Sequence, residues 1–258
     1  MEILQAANAL MKAEINKNPI DPFTSSTEVI SVDDAYQIQL EQIRHKVDKG
    51  AVIVGKKIGL TSKVMQEMFN VTEPDYGHIL DDMMYKNGEA ISIDRFIQPK
   101  VEFEIAFVLK KALKGPNVTL EDVIEATDYV IPAIEIIDSR IKNWKFKYED
   151  TVADNGSSAG AILGDKAVNI QDVDLPSVRM RVFRNGEEID SATGEAVMGN
   201  PVNAVAWLAN ALNRYNISLN AGEVILSGAL SAAVPIEEGD TFSADFGELG
   251  SVSVTFKK

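Results

Sequence analysis

The ten residues KVEFEIAFVL, at positions 100–109, combine an apolar run with two acidic side chains. Successive side chains of a β-strand point to opposite faces. The odd positions from Val101 to Leu109 are all apolar, whereas Glu102 and Glu104 share the other face, about 7 Å apart along the strand. The stretch therefore predicts a strand that packs one face into a core and presents a pair of carboxylates on the other.

A second apolar stretch, YVIPAIEIID (129–138), places Glu135 between two isoleucines and Asp138 three positions later. Like charges on a partly buried face repel, and one of them tends to take up a proton. A divalent cation removes this cost, because Mg²⁺ and similar hard cations bind carboxylate oxygens. Two interpretations remain open from these residues alone: a metal site shared by two strands, or two solvent-facing strand surfaces.

The composition excludes several classes of protein. A net charge of −14 over 258 residues argues against nucleic-acid binding. The absence of cysteine excludes disulfides, thiolate metal sites and cysteine nucleophiles, and two histidines are too few for a three-histidine zinc site. No apolar run approaches the roughly 18 residues of a membrane span, and the N-terminal residues do not resemble a signal peptide. We therefore expect a cytoplasmic protein that binds neither nucleic acid nor a membrane.

The chain divides by its sequence pattern into two predicted regions. Residues 1–50 contain two amphipathic helices, the second capped by Ser31, and form a small helical N-terminal lobe. Residues 51–258 alternate short strands with a few helices, which predicts an α+β domain. Within it, Pro132 predicts an edge strand or a bulge, and Asn185-Gly186 predicts a hairpin turn.

Seven stretches, in this order, resemble the 2-hydroxypenta-2,4-dienoate hydratase and 4-oxalocrotonate decarboxylase group of the fumarylacetoacetate hydrolase superfamily. They are GKKIGLTSK, PDYGHILDDM, IQPKVEFEIAFVL, VIPAIEIIDSRI, WKFKYEDTVADNGSS, GNPVNAVAWLANAL and AGEVILSGAL. The resemblance runs from about residue 30 to the C-terminus. It implies that residues 51–258 form a β-rich, fumarylacetoacetate-hydrolase-like catalytic domain that binds one Mg²⁺ or Mn²⁺ per subunit. It also implies a homo-oligomer, and a complex with the neighbouring pathway enzyme is a further expectation.

The resemblance also implies the roles of individual residues. The metal ligands would be Glu102, Glu104 and Glu135. Lys57, which matches the GKKIG motif better than its neighbour Lys56 does, and Asp75 of PDYG would be the catalytic pair. Read without the resemblance, Asp75 is an ordinary turn residue and Lys57 a lysine at a strand end.

The expected substrate contacts come from Ser157 of ADNGSS and from Arg140. Arg140 has two interpretations, because it could pair with Asp138 or meet a substrate carboxylate. Asp138 itself would be structural or lie behind the metal ligands.

The implied activity is the addition of water to 2-hydroxypenta-2,4-dienoate, giving 4-hydroxy-2-oxopentanoate in aromatic meta-cleavage catabolism. NWKFKYEDTVADN and NPVNAVAWLAN favour this hydratase, whereas SGALSAAVPI (227–236) favours 4-oxalocrotonate decarboxylase. The same stretches are also compatible with a longer-chain dienedioate hydratase and with a catalytically idle, metal-binding partner subunit. Hydrolysis of 1,3-diketones is disfavoured, because only His45 and His78 could assist a water molecule.

Overall fold

This computed structural model describes residues 2–26 and 30–258. They contain thirteen strands, arranged in two sheets, and six α-helices. The helices are α1 (Ile3–Asn16), α2 (Val32–Asp48), α3 (Lys63–Phe69), α4 (Leu120–Ala126), α5 (Tyr148–Ala153) and α6 (Pro201–Leu212). The strands are β1 (Ile53–Gly59), β2 (Asp75–Leu80), β3 (Met84–Tyr85), β4 (Ala90–Ser92), β5 (Lys100–Leu109), β6 (Thr127–Ile137), β7 (Ser158–Leu163), β8 (Arg179–Arg184), β9 (Glu187–Thr193), β10 (Val224–Ala229), β11 (Val234–Pro235), β12 (Thr241–Asp245) and β13 (Ser251–Lys257). The predicted α+β class is confirmed.

The larger sheet has the order β2-β1-β10-β5-β6-β7-β3, with β11 paired to β5, and the smaller sheet has the order β4-β13-β12-β8-β9. β2 and β7 lie far apart in the order of the larger sheet, yet they contact each other, so the sheet curls on itself. One face packs into the main core, which includes the odd-numbered residues of β5. The other face carries a smaller apolar cluster that includes Ala106, Ala133 and Leu226.

Several helix and hairpin boundaries lie where local signals in the sequence indicate them. Ser31 caps α2 in a capping box with Asp34, and Thr119 caps α4 in the same way with Asp122. The β8–β9 hairpin turns at Asn185-Gly186, where both residues have positive φ (54° and 86°) as a type I′ turn requires.

The prediction that Pro132 marks an edge strand or a bulge is wrong, since the pairing of β6 with β5 runs through Pro132 without a register shift. β6 is an interior strand that pairs with β5 along its length and with β7 on its other side. The β7 ladder ends at Ala133, and beyond it the Pro132 carbonyl accepts a hydrogen bond from the Gly164 amide (2.8 Å). The proline therefore lies just past the last ladder pair, where a missing amide donor costs the sheet little.

In the N-terminal region α1 packs on α2, and α2 packs on α5. The division into an N-terminal lobe (1–50) and a catalytic domain (51–258) stays a prediction. Among residues 2–26 and 30–258, no helix has the length and apolar character needed to cross a membrane.

Candidate active site

The paired strands β5 and β6 bring the three predicted metal ligands together. Glu102 lies directly opposite Glu135 in the antiparallel register, and Glu104 follows on the same face of β5. One carboxylate oxygen from each residue lies within 4.8 Å of those from the other two. Glu104 and Glu135 are fully buried and Glu102 is partly buried, so the solvent-facing interpretation of these strands is wrong.

The surroundings of this carboxylate trio (Glu102, Glu104 and Glu135) disfavour the simultaneous ionisation of all three carboxyl groups. Burial raises the pKa of Glu135 to about 7, although the nearby Lys57 ammonium lowers it. Burial, followed by the charges of Glu135 and Glu102, raises the pKa of Glu104 well above its usual value. The trio therefore needs further positive charge to be fully ionised.

The unsatisfied oxygens of the trio fit a divalent cation. Glu104 Oε1 and both carboxylate oxygens of Glu135 are buried without a hydrogen bond among the described residues, although the Lys57 ammonium lies 3.5 Å from Glu135 Oε2. Glu104 Oε2 accepts a hydrogen bond from the Gly228 amide (2.6 Å). Buried polar atoms without partners are costly, and a bound cation would satisfy these oxygens. A set of oxygen donors suits Mg²⁺, Mn²⁺ or Ca²⁺. The trio can therefore hold such an ion.

Lys57 and Asp75 converge beside the trio from the paired strands β1 and β2. Lys57 Nζ lies 3.5 Å from Glu135 Oε2. Gly59 is opposite Asp75 in the register, and a Cβ atom added to Gly59 would lie 2.2 Å from Asp75 Oδ1 and 3.0 Å from Lys57 Nζ. The missing side chain at Gly59 is what lets the carboxyl and the ammonium group approach the same point.

The charge states of this pair follow from burial and from their neighbours. Burial raises the pKa of Asp75, and the charge of Lys57 opposes that rise. Burial by itself would lower the pKa of Lys57, but Glu135, Asp75 and the other two glutamates raise it above the usual value for lysine. Lys57 is therefore a cation.

Ser157 lies in a left-handed turn that adjoins Lys57. Asn155, Gly156 and Ser157 all have positive φ, between 56° and 58°, a conformation that costs free energy for residues with a Cβ atom. A Cβ atom on Gly156 would lie 3.2 Å from Lys57 Cδ. The Ser157 hydroxyl is buried and has no hydrogen-bond partner among the described residues, so it is available to a ligand.

Arg140 requires a correction. Its Nε atom donates to Asp154 Oδ1 (2.5 Å), and its Nη1 atom donates to the carbonyls of Asp138 (2.6 Å) and Ser158 (3.1 Å). The ion-pair partner is thus Asp154 rather than Asp138, and the guanidinium is committed to protein acceptors. We therefore replace the expected substrate contact with a structural role, in which Arg140 holds the turn that carries Ser157. Asp138 is structural as well, because its carboxylate accepts the backbone amides of Ile97 (2.8 Å) and Gln98 (2.7 Å).

Three contributors to the site were not identified from the sequence. Thr151 in α5 donates through its hydroxyl to Asp75 Oδ2 (3.4 Å), Gly59 leaves room for Asp75, and Gly228 donates its amide to Glu104. Gly59 and Thr151 lie inside the stretches GKKIG and EDTVADN. Nothing in their spacing shows that they meet a residue from another strand.

Comparison with known proteins supports the same group. The family model described as fumarylacetoacetate (FAA) hydrolase C-terminal matches residues 56–257. The chain is 44% identical over 256 residues to a 2-oxo-hept-4-ene-1,7-dioate hydratase of Escherichia coli, covering 97% of this chain and 96% of the relative. It is 42% identical to a 2-keto-4-pentenoate hydratase of Paraburkholderia xenovorans (strain LB400), covering 98% and 94%.

A solved structure agrees with this architecture over nearly the whole chain. It is that of 4-oxalocrotonate decarboxylase from Pseudomonas putida G7 complexed with magnesium and adipate. It superposes with a TM-score of 0.96 at 39% identity, covering 98% of this chain and 97% of that one.

Proposed function

Because this chain belongs to the fumarylacetoacetate hydrolase family, we propose that it is a divalent-metal-dependent hydro-lyase that converts 2-hydroxypenta-2,4-dienoate and water to 4-hydroxy-2-oxopentanoate. The observation that carries this proposal is the buried trio of Glu102, Glu104 and Glu135 beside Lys57. Relatives that share more than 40% identity over nearly the whole chain are hydratases of such acids.

The trio would hold the cation, with Mg²⁺ or Mn²⁺ as our choice. When bound there, the cation supplies Lewis-acid stabilisation of negative charge on the 2-oxygen and carboxylate of a 2-oxo acid. Lys57 keeps the ionised trio partly neutralised, since its ammonium lies 3.5 Å from Glu135. The Ser157 hydroxyl, buried and without a partner among the described residues, is the group we assign to hold the substrate.

Asp75 is the group we assign to proton transfer. As the enol becomes a ketone, the 2-hydroxyl group loses its proton and C5 gains one. Water then adds hydroxide to C4 and a proton to C3, so protons must be accepted from the 2-hydroxyl group and from water and delivered to C5 and C3. The burial that raises the pKa of Asp75 lets its carboxyl group hold a proton more readily, and the Lys57 charge keeps release of that proton accessible. A carboxyl group with both properties can perform both transfers in turn.

The runner-up is decarboxylation of 4-oxalocrotonate, favoured by the TM-score of 0.96 to the decarboxylase of Pseudomonas putida G7. Hydration and decarboxylation both need negative charge stabilised at the 2-oxygen, so the trio serves either reaction. The hydratase is preferred because the hydratases of Escherichia coli and Paraburkholderia xenovorans share more sequence with this chain (44% and 42%) than the decarboxylase does (39%).

A paired assay tests the proposal. With Mg²⁺, the purified protein should remove the absorbance of 2-hydroxypenta-2,4-dienoate, form 4-hydroxy-2-oxopentanoate, and release no CO₂ from 2-oxo-3-hexenedioate. Release of CO₂ without hydration would instead establish the decarboxylase. Failure of both reactions, in a protein that binds Mg²⁺, would leave the longer-chain dienedioate hydratase and the idle metal-binding subunit.

The homo-oligomer, the complex with the neighbouring pathway enzyme and the cytoplasmic location are also proposals, supported by the resemblance and by the sequence pattern. Light scattering coupled to gel filtration would test the first. A molar mass of one chain, 28.2 kDa, would contradict it.

A further inference from the structure

The side chain of Gln39, in α2, joins three separate segments next to Asp75. It is completely buried. Its Nε2 atom donates to the carbonyl oxygens of Tyr76 (2.9 Å) and Val152 (2.8 Å), and its Oε1 atom lies 3.1 Å from His78 Nδ1. One amide group therefore connects α2, β2 and α5.

The two carbonyl groups belong to residues that directly follow Asp75 and its hydrogen-bond donor Thr151. Tyr76 directly follows Asp75 in β2, and Val152 directly follows Thr151 in α5. Thr151 is the residue whose hydroxyl contacts Asp75 Oδ2 (3.4 Å). The Gln39 amide thus connects the backbone next to Asp75 with the backbone next to Thr151.

The orientation of the Gln39 amide is fixed by its partners. Both hydrogens of Nε2 are used by carbonyls, so Oε1 has to face His78 and accept a hydrogen bond from its Nδ1–H group. Burial lowers the pKa of His78 to about 3, which keeps the ring neutral. The amide is satisfied at both ends and has no second arrangement of equal quality.

From these contacts we propose that Gln39 is a positioning residue that holds β2 against α5 and so fixes the carboxyl group of Asp75 against Thr151. The proposal rests on the assignment of Asp75 to proton transfer in the proposed function. Gln39 lies before residues 56–257, which the family model matches, so the N-terminal helices contribute to the site from outside that region. A displacement of about 1 Å in a proton-transfer group is enough to slow the reaction strongly.

Gln42 provides a matched control on the same helix. It is 5% exposed, and its Nε2 atom donates to the carbonyls of Ile38 (3.1 Å) and Ala153 (2.8 Å). It contacts α5 as Gln39 does, but these bonds do not reach β2. A Gln42→Met variant therefore loses a buried contact between α2 and α5 and keeps the connection to Asp75.

The test compares Gln39→Met with Gln42→Met by kcat, KM, Mg²⁺ affinity and melting temperature. We expect Gln39→Met to lower kcat about tenfold or more, with KM and the Mg²⁺ dissociation constant changed less than about twofold. Gln42→Met should lose similar thermal stability and keep kcat within about twofold of the wild type. An equal loss of kcat in both variants, or an unchanged kcat in Gln39→Met, would overturn the proposal.

A double-mutant cycle with Thr151→Val provides a second test. If Gln39 had a purely structural role, the effects of the two substitutions on kcat would be additive. If Gln39 acts through the Thr151–Asp75 contact, Gln39→Asn should lower kcat much less in the Thr151→Val background than in the wild type. Independent effects would overturn the proposal. Asn retains an amide but is one methylene too short to span both carbonyls, which supplies a milder variant if Gln39→Met does not fold.

Hydrogen exchange separates failure of this proposal from failure of the proposed function, since it needs no substrate. In Gln39→Asn, amides in residues 75–80 and 148–153 should exchange faster, while those in residues 100–109 should be unchanged. Unchanged exchange in both segments would overturn the positioning role whatever the enzyme turns over. Absence of turnover in the wild type, with the expected exchange, would reject only the hydratase.

Discussion

The ammonium nitrogen of Lys57 lies 3.5 Å from a carboxylate oxygen of Glu135, although both side chains are buried in the curled sheet. The adjacent Lys56 points to the opposite face of β1 and forms a separate buried ion pair with Glu223 (2.6 Å). Two neighbouring lysines, equally buried, therefore belong to different networks. One balances the carboxylate trio, and the other connects β1 to the start of β10.

The two lysines should respond differently to the same substitution. Lys57→Met should lower kcat by about 100-fold, because it removes the cation beside the trio and Asp75. Lys56→Met should keep kcat within about twofold but lower the free energy of unfolding by about 3 kcal/mol, because Glu223 stays buried without its ion-pair partner. Steady-state kinetics and urea unfolding measure both. Loss of turnover in a stable Lys56→Met variant would reverse the assignment.

Asp75→Asn tests the proton-transfer role. The amide keeps the shape of the carboxyl group and removes its ability to exchange a proton, so kcat should fall by about 100-fold or more. The Mg²⁺ affinity, measured by calorimetry, should stay unchanged because Asp75 is not part of the trio. A variant that retains wild-type kcat would remove Asp75 from the mechanism.

Gly59→Ala tests the packing of the pair. The added Cβ atom would lie 2.2 Å from Asp75 Oδ1 and 3.0 Å from Lys57 Nζ, so both groups have to move. Gly59 is not among the glycines with positive φ, so alanine introduces a steric effect without backbone strain. We expect kcat to fall about tenfold or more while KM changes little. Normal kcat would mean that the carboxyl and ammonium groups tolerate a different separation.

His78 should make the stability of the fold depend on pH. Burial lowers its pKa from 6.5 to about 3 in the folded chain, so between these values the unfolded chain binds a proton that the folded chain does not. The contribution of neutral His78 to the free energy of unfolding is complete above pH 6.5 and is lost as the pH falls towards 3. The loss amounts to about 2 kcal/mol between pH 7 and pH 5.

A comparison of urea unfolding in wild type and His78→Gln isolates this effect. The comparison is needed because Glu135 and Asp154, whose pKa values are raised to about 7 and about 6, change stability in the opposite direction as the pH falls. The wild type should lose about 2 kcal/mol more than the variant over this range. Parallel profiles would show that His78 already binds a proton in the folded chain.

Local patterns in the sequence predicted much of the fold. Alternation in residues 100–109 identified β5 and its acidic face, and Ser31 and Asn185-Gly186 located a helix start and a hairpin. These features depend on residues close in the chain. The interior position of Pro132 was missed because it depends on where β7, some 30 residues later, stops pairing.

The site was predicted less completely because it depends on contacts between distant segments. The residues alone did not show that Glu102 would lie opposite Glu135, which the β5–β6 register determines. Arg140 was assigned a substrate contact because its partner Asp154 lies 14 positions away, outside any local pattern. The resemblance chose Lys57 over Lys56, and the ion pair of Lys56 with Glu223 on the other face gives that choice a physical reason.

The most direct measurement of the central claim is anomalous diffraction from crystals of the protein soaked with Mn²⁺. One Mn²⁺ per chain should appear in contact with a carboxylate oxygen from each of Glu102, Glu104 and Glu135, and it should be absent from Glu104→Gln crystals grown in the same way. A protein that turns over 2-hydroxypenta-2,4-dienoate with Mn²⁺, but binds the ion elsewhere or with fewer than these three residues, would contradict the claim.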